Sequence, residues 1–347
     1  MSDIPQQPVQ GFDLIERLFA THPFRFTLAN GLTVVGLPDF ASELVSAQIW
    51  VKTGSIHEDA WLGAGLSHYL EHMMFKGTPR RGYADISGEV HACGGHMNAY
   101  TTFDRTVYYM DVPVAGVETA LDVLADITFA STLPSEEIAR ERDVILREID
   151  MGLDDPYRQL SRAMFETAFR THPYRYPVIG QRPLFERVGE TDLRDYYARR
   201  YVPNNAVLIL VGALDESRMR GLAEEYFGEI GMGPAAPVTI PAEGPQLAAR
   251  ESRMEGDYNL LRGGRGYRIP SLADADAPAL DLLANILGHG DSALLWQSLR
   301  EERRRVHEVD VSCWNPGASG LFWISWVGEP DKQEAIEAAL DEELERI

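Results

Sequence analysis

Cysteine is scarce in this chain: its 347 residues include two, Cys93 and Cys313. Two thiols so far apart make neither a disulfide framework nor a cysteine-based zinc site, and a reducing compartment is the default. Positive charge is also short. Lys and Arg number 32 against 53 Asp and Glu, a net charge of -21. That balance argues against a nucleic-acid partner, whose phosphates need a basic footprint. It also argues against docking on anionic membranes. Long hydrophobic runs are missing. The longest, residues 206–214, has nine residues, whereas a membrane span takes about 20. Residues 1–20 lack the basic start and continuous apolar stretch of a signal peptide. The expectation is a soluble, cytoplasmic protein without nucleic-acid or membrane partners.

What is present is a globular composition, 45% hydrophobic and 24% charged. The length suggests about two domains. FRFTLANGLTVVGLP, residues 24–38, reads as a hairpin turning at Asn30-Gly31, a pair suited to a two-residue type I′ turn. Residues 44–52 alternate Val45, Ala47, Ile49 and Val51 against Ser46, Gln48 and Trp50, the pattern of a half-buried strand. Helical spacing marks Gly63–Phe75, Asp85–Cys93, Leu121–Phe129 and a long stretch from Ser135 to about Met151. His96–Thr101 and Thr106–Val112 read as strands, and Asn205–Val211 as a buried one.

Residues 231–247, with four prolines and few apolar anchors, read as a linker. It separates a first domain, 1–230, from a second, 248–347. Strands and helices recur in similar order on both sides, a hint of internal duplication. Hairpins interleaved with helices favour an α+β class of two related domains with mixed, largely antiparallel sheets. LRGGRG, residues 261–266, lacks the Gly-Lys-Ser/Thr ending of a phosphate loop and reads as an irregular strand entry. The last helix places Ile336, Leu340, Leu344 and Ile347 on one apolar face. A stripe with nothing after it to cover it predicts a second domain incomplete at its C-terminus.

The chemistry concentrates in His68-Tyr69-Leu70-Glu71-His72. Positions i, i+3 and i+4 share one helix face, so two imidazoles can grip one metal while Glu71 reaches a water beside it. Zinc is the usual choice for two histidines and a carboxylate, with one position left for water. The third ligand comes from elsewhere. RERDVILREIDM offers Glu141 and Glu148, seven residues apart and on one face, with Val144, Ile145 and Ile149 toward the core. The plainer alternative for both carboxylates is a solvated surface paired with Arg140, Arg142, Arg147 and Arg158.

HYLEHMMFKGT closely resembles the inverted zinc motif of the pitrilysin, insulinase and mitochondrial-processing-peptidase family. GGHMNAYTTFDRTVYYMDVP, Asp154-Asp155-Pro156 and YVPNNAVLILVG are similar to the family as well. The resemblance covers about residues 24–347 and is sharpest over 60–157. It implies a processing-peptidase-like metallohydrolase fold, Zn²⁺ held by His68, His72 and Glu148, and Glu71 as general base in peptide hydrolysis. It also implies Glu141 as a supporting group in an E-x6-E helix, and Asn98 and Ala99 as binders of the substrate backbone. Residues 277–299 carry no His and Glu pair, as in the family's inactive second domain, and LREERRRV lacks the family's glycine and tyrosine there. The implied partners are a peptide substrate and a second half-molecule, fused or separate. The competing expectation is a non-catalytic or partner-dependent subunit of the same fold.

Overall fold

A computed structural model describes residues 22–234 and 237–346. The leader reading on residues 1–20 and the apolar position Ile347 lie outside the described residues. The class is α+β, as expected. By contacts the chain forms two compact units: the first runs up to Ile145 and resumes over Pro183–Val238, and the second joins Leu146–Arg182 to Thr239–Ile347.

The first unit is built on six strands: β1 (Phe24–Thr27), β2 (Thr33–Pro38), β3 (Leu44–Val51), β4 (His96–Thr101), β5 (Thr106–Pro113) and β6 (Ala206–Gly212). Their order is β1-β2-β6-β3-β5-β4, with β2 and β6 parallel and the other pairs antiparallel. Val45, Ala47, Ile49 and Val51 of β3 are all fully buried, as the period-two pattern requires. Helices α1 (Leu66–Met73), α2 (Tyr83–Ala92), α3 (Val117–Phe129), α6 (Glu190–Arg200) and α7 (Glu216–Phe227) belong to this unit. Helix α3 lies on β3 and β5, α7 on β2, and α1 on β4 and β5. Strand β6 is apolar on both faces, yet only Ala206, Leu208, Leu210 and Gly212 are buried, while Val207, Ile209 and Val211 stay partly exposed. The expectation of a wholly buried strand is corrected to a half-buried one.

The hairpin forms, but with a different turn. Gly31 has φ +85° and Asn30 is not in the left-handed region, so the two-residue type I′ turn is excluded. The Leu28 carbonyl accepts from the Gly31 N–H and the Leu28 N–H donates to the Leu32 carbonyl, which makes a three-residue loop, a turn centred on Ala29-Asn30 followed by a left-handed glycine. Asn30 is instead buried, its Nδ2 donating to the carbonyls of Phe227 at 2.7 Å and Ile230 at 2.9 Å. The side chain that favours the turn is spent on anchoring it to the end of α7.

Helix α4 (Ser135–Asp154) begins in the first unit, and its last turns are grouped with the second. Ile145 and Ile149 are buried, but Val144 is 38% exposed, which corrects its expected core position. The second unit holds α5 (Pro156–Ala168) and the antiparallel strands β7 (Leu261–Ile269), β8 (Val306–Trp314) and β9 (Gly320–Gly328), in the order β7-β9-β8. LRGGRG is a regular part of β7 rather than an irregular entry. A Cβ on Gly264 or Gly266 would meet Met164 at 2.8 or 2.7 Å, so the glycines let α5 lie close on the strand. Helices α8 (Ala277–Gly288) and α9 (Gln333–Leu344) and a π-helix, Trp296–Glu302, complete the unit. Ile336 and Leu340 of α9 are fully buried against Val306, Ile324 and Trp326, and Leu344 packs on the same cluster. The terminal stripe is therefore covered by the chain's own core, and the premise of a bare face is corrected. Among the described residues no helix is long and apolar enough to cross a membrane.

Candidate metal centre

Helix α1 starts after two left-handed glycines, Gly63 and Gly65, at φ +82° and +80°. Leu66, Tyr69, Leu70 and Met73 are buried, which turns His68, Glu71 and His72 to the opposite, partly exposed side. The Tyr69 hydroxyl donates to the Ile138 carbonyl, tying α1 to α4. At the start of the helix, Glu58 is 1% exposed and takes two backbone N–H groups, from Gly65 and Ser67, both at 2.9 Å. The Ser67 and Tyr196 hydroxyls share a hydrogen bond of 2.8 Å.

One ligand atom each from His68, His72 and Glu148 lies within 4.8 Å of the other two. Ligand atoms around a tetrahedral zinc are roughly 3.3–3.5 Å apart, given bonds of about 2.0–2.2 Å. Two imidazoles and one carboxylate with that spread fit such an ion. The rings of His68 and His72 stand 4.7 Å apart, edge to face. Burial, reinforced by the charge of His72, pushes His68 down to about 3 and keeps its imidazole neutral, the ligating form.

Glu141 is buried beside this cluster. Its Oε2 lies 3.0 Å from His72 Nδ1, and its Oε1 lies 2.6 Å from Lys76 Nζ. Burial alone would raise its carboxyl; the hydrogen bonds from Lys76 and His72 outweigh burial and hold it below the ordinary value. Arg140 and Arg142 are engaged elsewhere: Arg140 pairs with Glu137, and Arg142 reaches the carbonyls of Glu186 and Val188. Arg158 pairs with Asp155.

Glu71 and His72 line a cleft of about 320 Å³ with Phe75, Lys76, Met97, Asn98 and Ala99. Asn98 and Ala99 sit on β4, the terminal strand of the six, whose one sheet neighbour among the described residues is β5. The Asn98 Oδ1 accepts from the Ala99 N–H at 2.9 Å. All seven residues expected at the site thus fall in the cluster, in the cleft or on His72. His91 and His96 stand outside the ligand trio.

Glu58, Lys76 and Tyr69 take part without having been expected. Lys76 lies four residues beyond His72, a helical spacing that could have revealed it. Glu58 had no such signal, because nothing local in the sequence marks a buried cap.

Comparison with known proteins follows the same lines. The family described as Insulinase (Peptidase family M16) matches residues 34–182, and the Peptidase M16 inactive domain matches residues 187–347. An uncharacterized zinc protease of Mycobacterium leprae is 34% identical over 82% of this chain and 64% of its own length. An uncharacterized zinc protease of Rickettsia felis is 30% identical over 92% of this chain and 77% of its own. A probable mitochondrial-processing peptidase subunit beta of Arabidopsis thaliana is 31% identical over 92% of this chain and 62% of its own. The crystal structure of a protease from Helicobacter pylori superposes with a TM-score of 0.86 at 27% identity, covering 92% of this chain and 79% of that one. The chain spans 64–66% of the length of its mycobacterial relatives. By sequence and by fold, then, this chain belongs to the insulinase family of peptidases, M16.

Proposed function

We propose that the chain is a zinc-dependent endopeptidase acting on peptides or unfolded polypeptides. The observation that carries this reading is the convergence of His68, His72 and Glu148 beside a cleft that Glu71 lines. Bound zinc supplies Lewis acidity, polarising the scissile carbonyl and making water more acidic. Glu71 accepts a proton from the attacking water and returns it to the leaving nitrogen. Glu141 accepts from His72 Nδ1, which would fix the tautomer and leave Nε2 to hold the metal. Lys76, on the other oxygen of Glu141, keeps that carboxylate charged and in place.

The free edge of β4 suits an extended peptide added as a further strand. Backbone pairing of this kind gives affinity with little choice of sequence and favours unfolded substrates. Asn98 and Ala99 on that edge would touch the substrate backbone. The relative named as a processing-peptidase subunit supports a second half-molecule, fused or separate, as the partner.

The test is Glu71→Gln, which keeps shape and removes the base. Zinc is expected to stay, and cleavage of an unstructured peptide is expected to fall by about 10²–10⁴. Loss of zinc in this variant would make Glu71 a ligand and overturn the assignment of roles.

A further inference from the structure

We infer that Glu58 is a positioning residue for the metal centre: its buried carboxylate fixes the first turn of α1 and so the direction in which His68 and His72 present their rings. The inference rests on the zinc reading above, and it assigns a part to a residue outside the HxxEH motif.

The first N–H groups of any helix lack partners inside it. Usually a side chain at the N-cap position supplies an oxygen at the surface. In α1 the N-cap is Gly65, which has no side chain to offer. The cap is delivered from seven residues upstream. Glu58 Oε2 accepts from the Gly65 N–H and Oε1 from the Ser67 N–H, both at 2.9 Å. Both oxygens are thus used, on the residue next to His68 and on the one three before it.

Glu58 is itself held in place. It lies between two short helical turns, Ser55–His57 and Asp59–Trp61. The next residue, Asp59, has φ +49°, a conformation uncommon outside glycine. Arg200 at 2.9 Å and Arg199 at 3.2 Å grip the Asp59 carboxylate. Asp59 is thus pinned outward by arginines while Glu58 turns inward to the helix. The α1 helix has eight residues, so its first turn carries Ser67 and His68 directly. A change in that turn rotates one ligand and, one turn on, the other.

Support of this sort is worth roughly 10–100-fold in metal affinity when lost. The experiment is zinc affinity of the full chain, measured by competition with a chromophoric chelator, for wild type, Glu58→Gln and Glu58→Asp. Gln presents an NH2 to one of the two N–H groups; Asp keeps the charge but falls short by one methylene. The expected result is Glu58→Gln folded by circular dichroism with zinc affinity at least about tenfold weaker, and Glu58→Asp between it and wild type. A folded Glu58→Gln with wild-type affinity overturns the inference. Absence of zinc from the wild type would sink the zinc reading instead, so the two failures are distinct.

If Glu58→Gln does not fold, hydrogen exchange on the wild type decides. Coupling between cap and metal is reciprocal. Zinc should therefore slow exchange at the Gly65 and Ser67 amides more than at Val107 and Tyr108 in the β5 core. Equal slowing at both places overturns the inference.

Discussion

Glu141 and Glu148 stand two helical turns apart on one face of α4, about 10 Å along its axis. The structure separates them by surroundings. Glu148 joins His68 and His72, whereas Glu141 takes His72 Nδ1 and Lys76. Glu148→Gln replaces a charged ligand oxygen by an amide, and the purified variant is expected to lose most of its zinc by metal analysis. Full occupancy would remove Glu148 from the ligand set. Glu58 gives a pH prediction. Burial raises its carboxyl from the ordinary 4.5 to about 7, against hydrogen bonds from Ser67 and Gly65 that pull the other way. The folded chain then holds this proton more tightly than the unfolded chain does. The contribution is fully present below about pH 4.5 and is lost as pH rises through about 7. Urea unfolding of wild type and Glu58→Gln in parallel should show the wild-type advantage falling by on the order of 2–3 kcal/mol from pH 5 to pH 8. A constant difference across that range would contradict the assignment. His68, Glu71 and His72 were legible because ligand chemistry needs fixed residue types at helical spacing, whereas the roles of Glu141, Glu148, Asn98 and Ala99 came from the family resemblance. Glu58 was not legible, since only the folded chain brings it to Gly65.

At the scale of elements, legibility follows the range of the forces. Strand β3 and helix α1 are set by local periodicity, and both formed where the pattern placed them. The turn at Asn30-Gly31 is decided instead by partners near residue 230, and no local rule contains those. The same holds for Gly264 and Gly266, whose purpose is visible only against Met164 of α5. The α9 stripe pointed correctly to a buried face, but its cover came from strands already in the chain. The hairpin anchor makes a prediction of its own. Asn30→Ala strands one buried carbonyl, one partly buried carbonyl and a buried backbone N–H, and is expected to cost about 2–3 kcal/mol. The check is the midpoint and slope of urea unfolding; a change below about 0.5 kcal/mol would mean that water replaces the side chain at no cost.

At the scale of the whole molecule, the described residues hold one cluster suited to a metal ion, His68, His72 and Glu148. A substrate paired on the β4 edge, as proposed above, would gain contacts from one side alone. A second half-molecule would add contacts on the substrate's other side. Cleavage of an unstructured peptide of about 10–30 residues should therefore be more efficient with that half supplied than with this chain alone. Equal efficiency would show that one half suffices. Zinc at this site is tested by anomalous diffraction at the zinc edge from crystals grown with zinc. The expected result is a single strong peak about 2.0–2.2 Å from one atom each of His68, His72 and Glu148. A peak coordinated by Glu141 or Glu71 in place of Glu148, or no peak near α1, would contradict it.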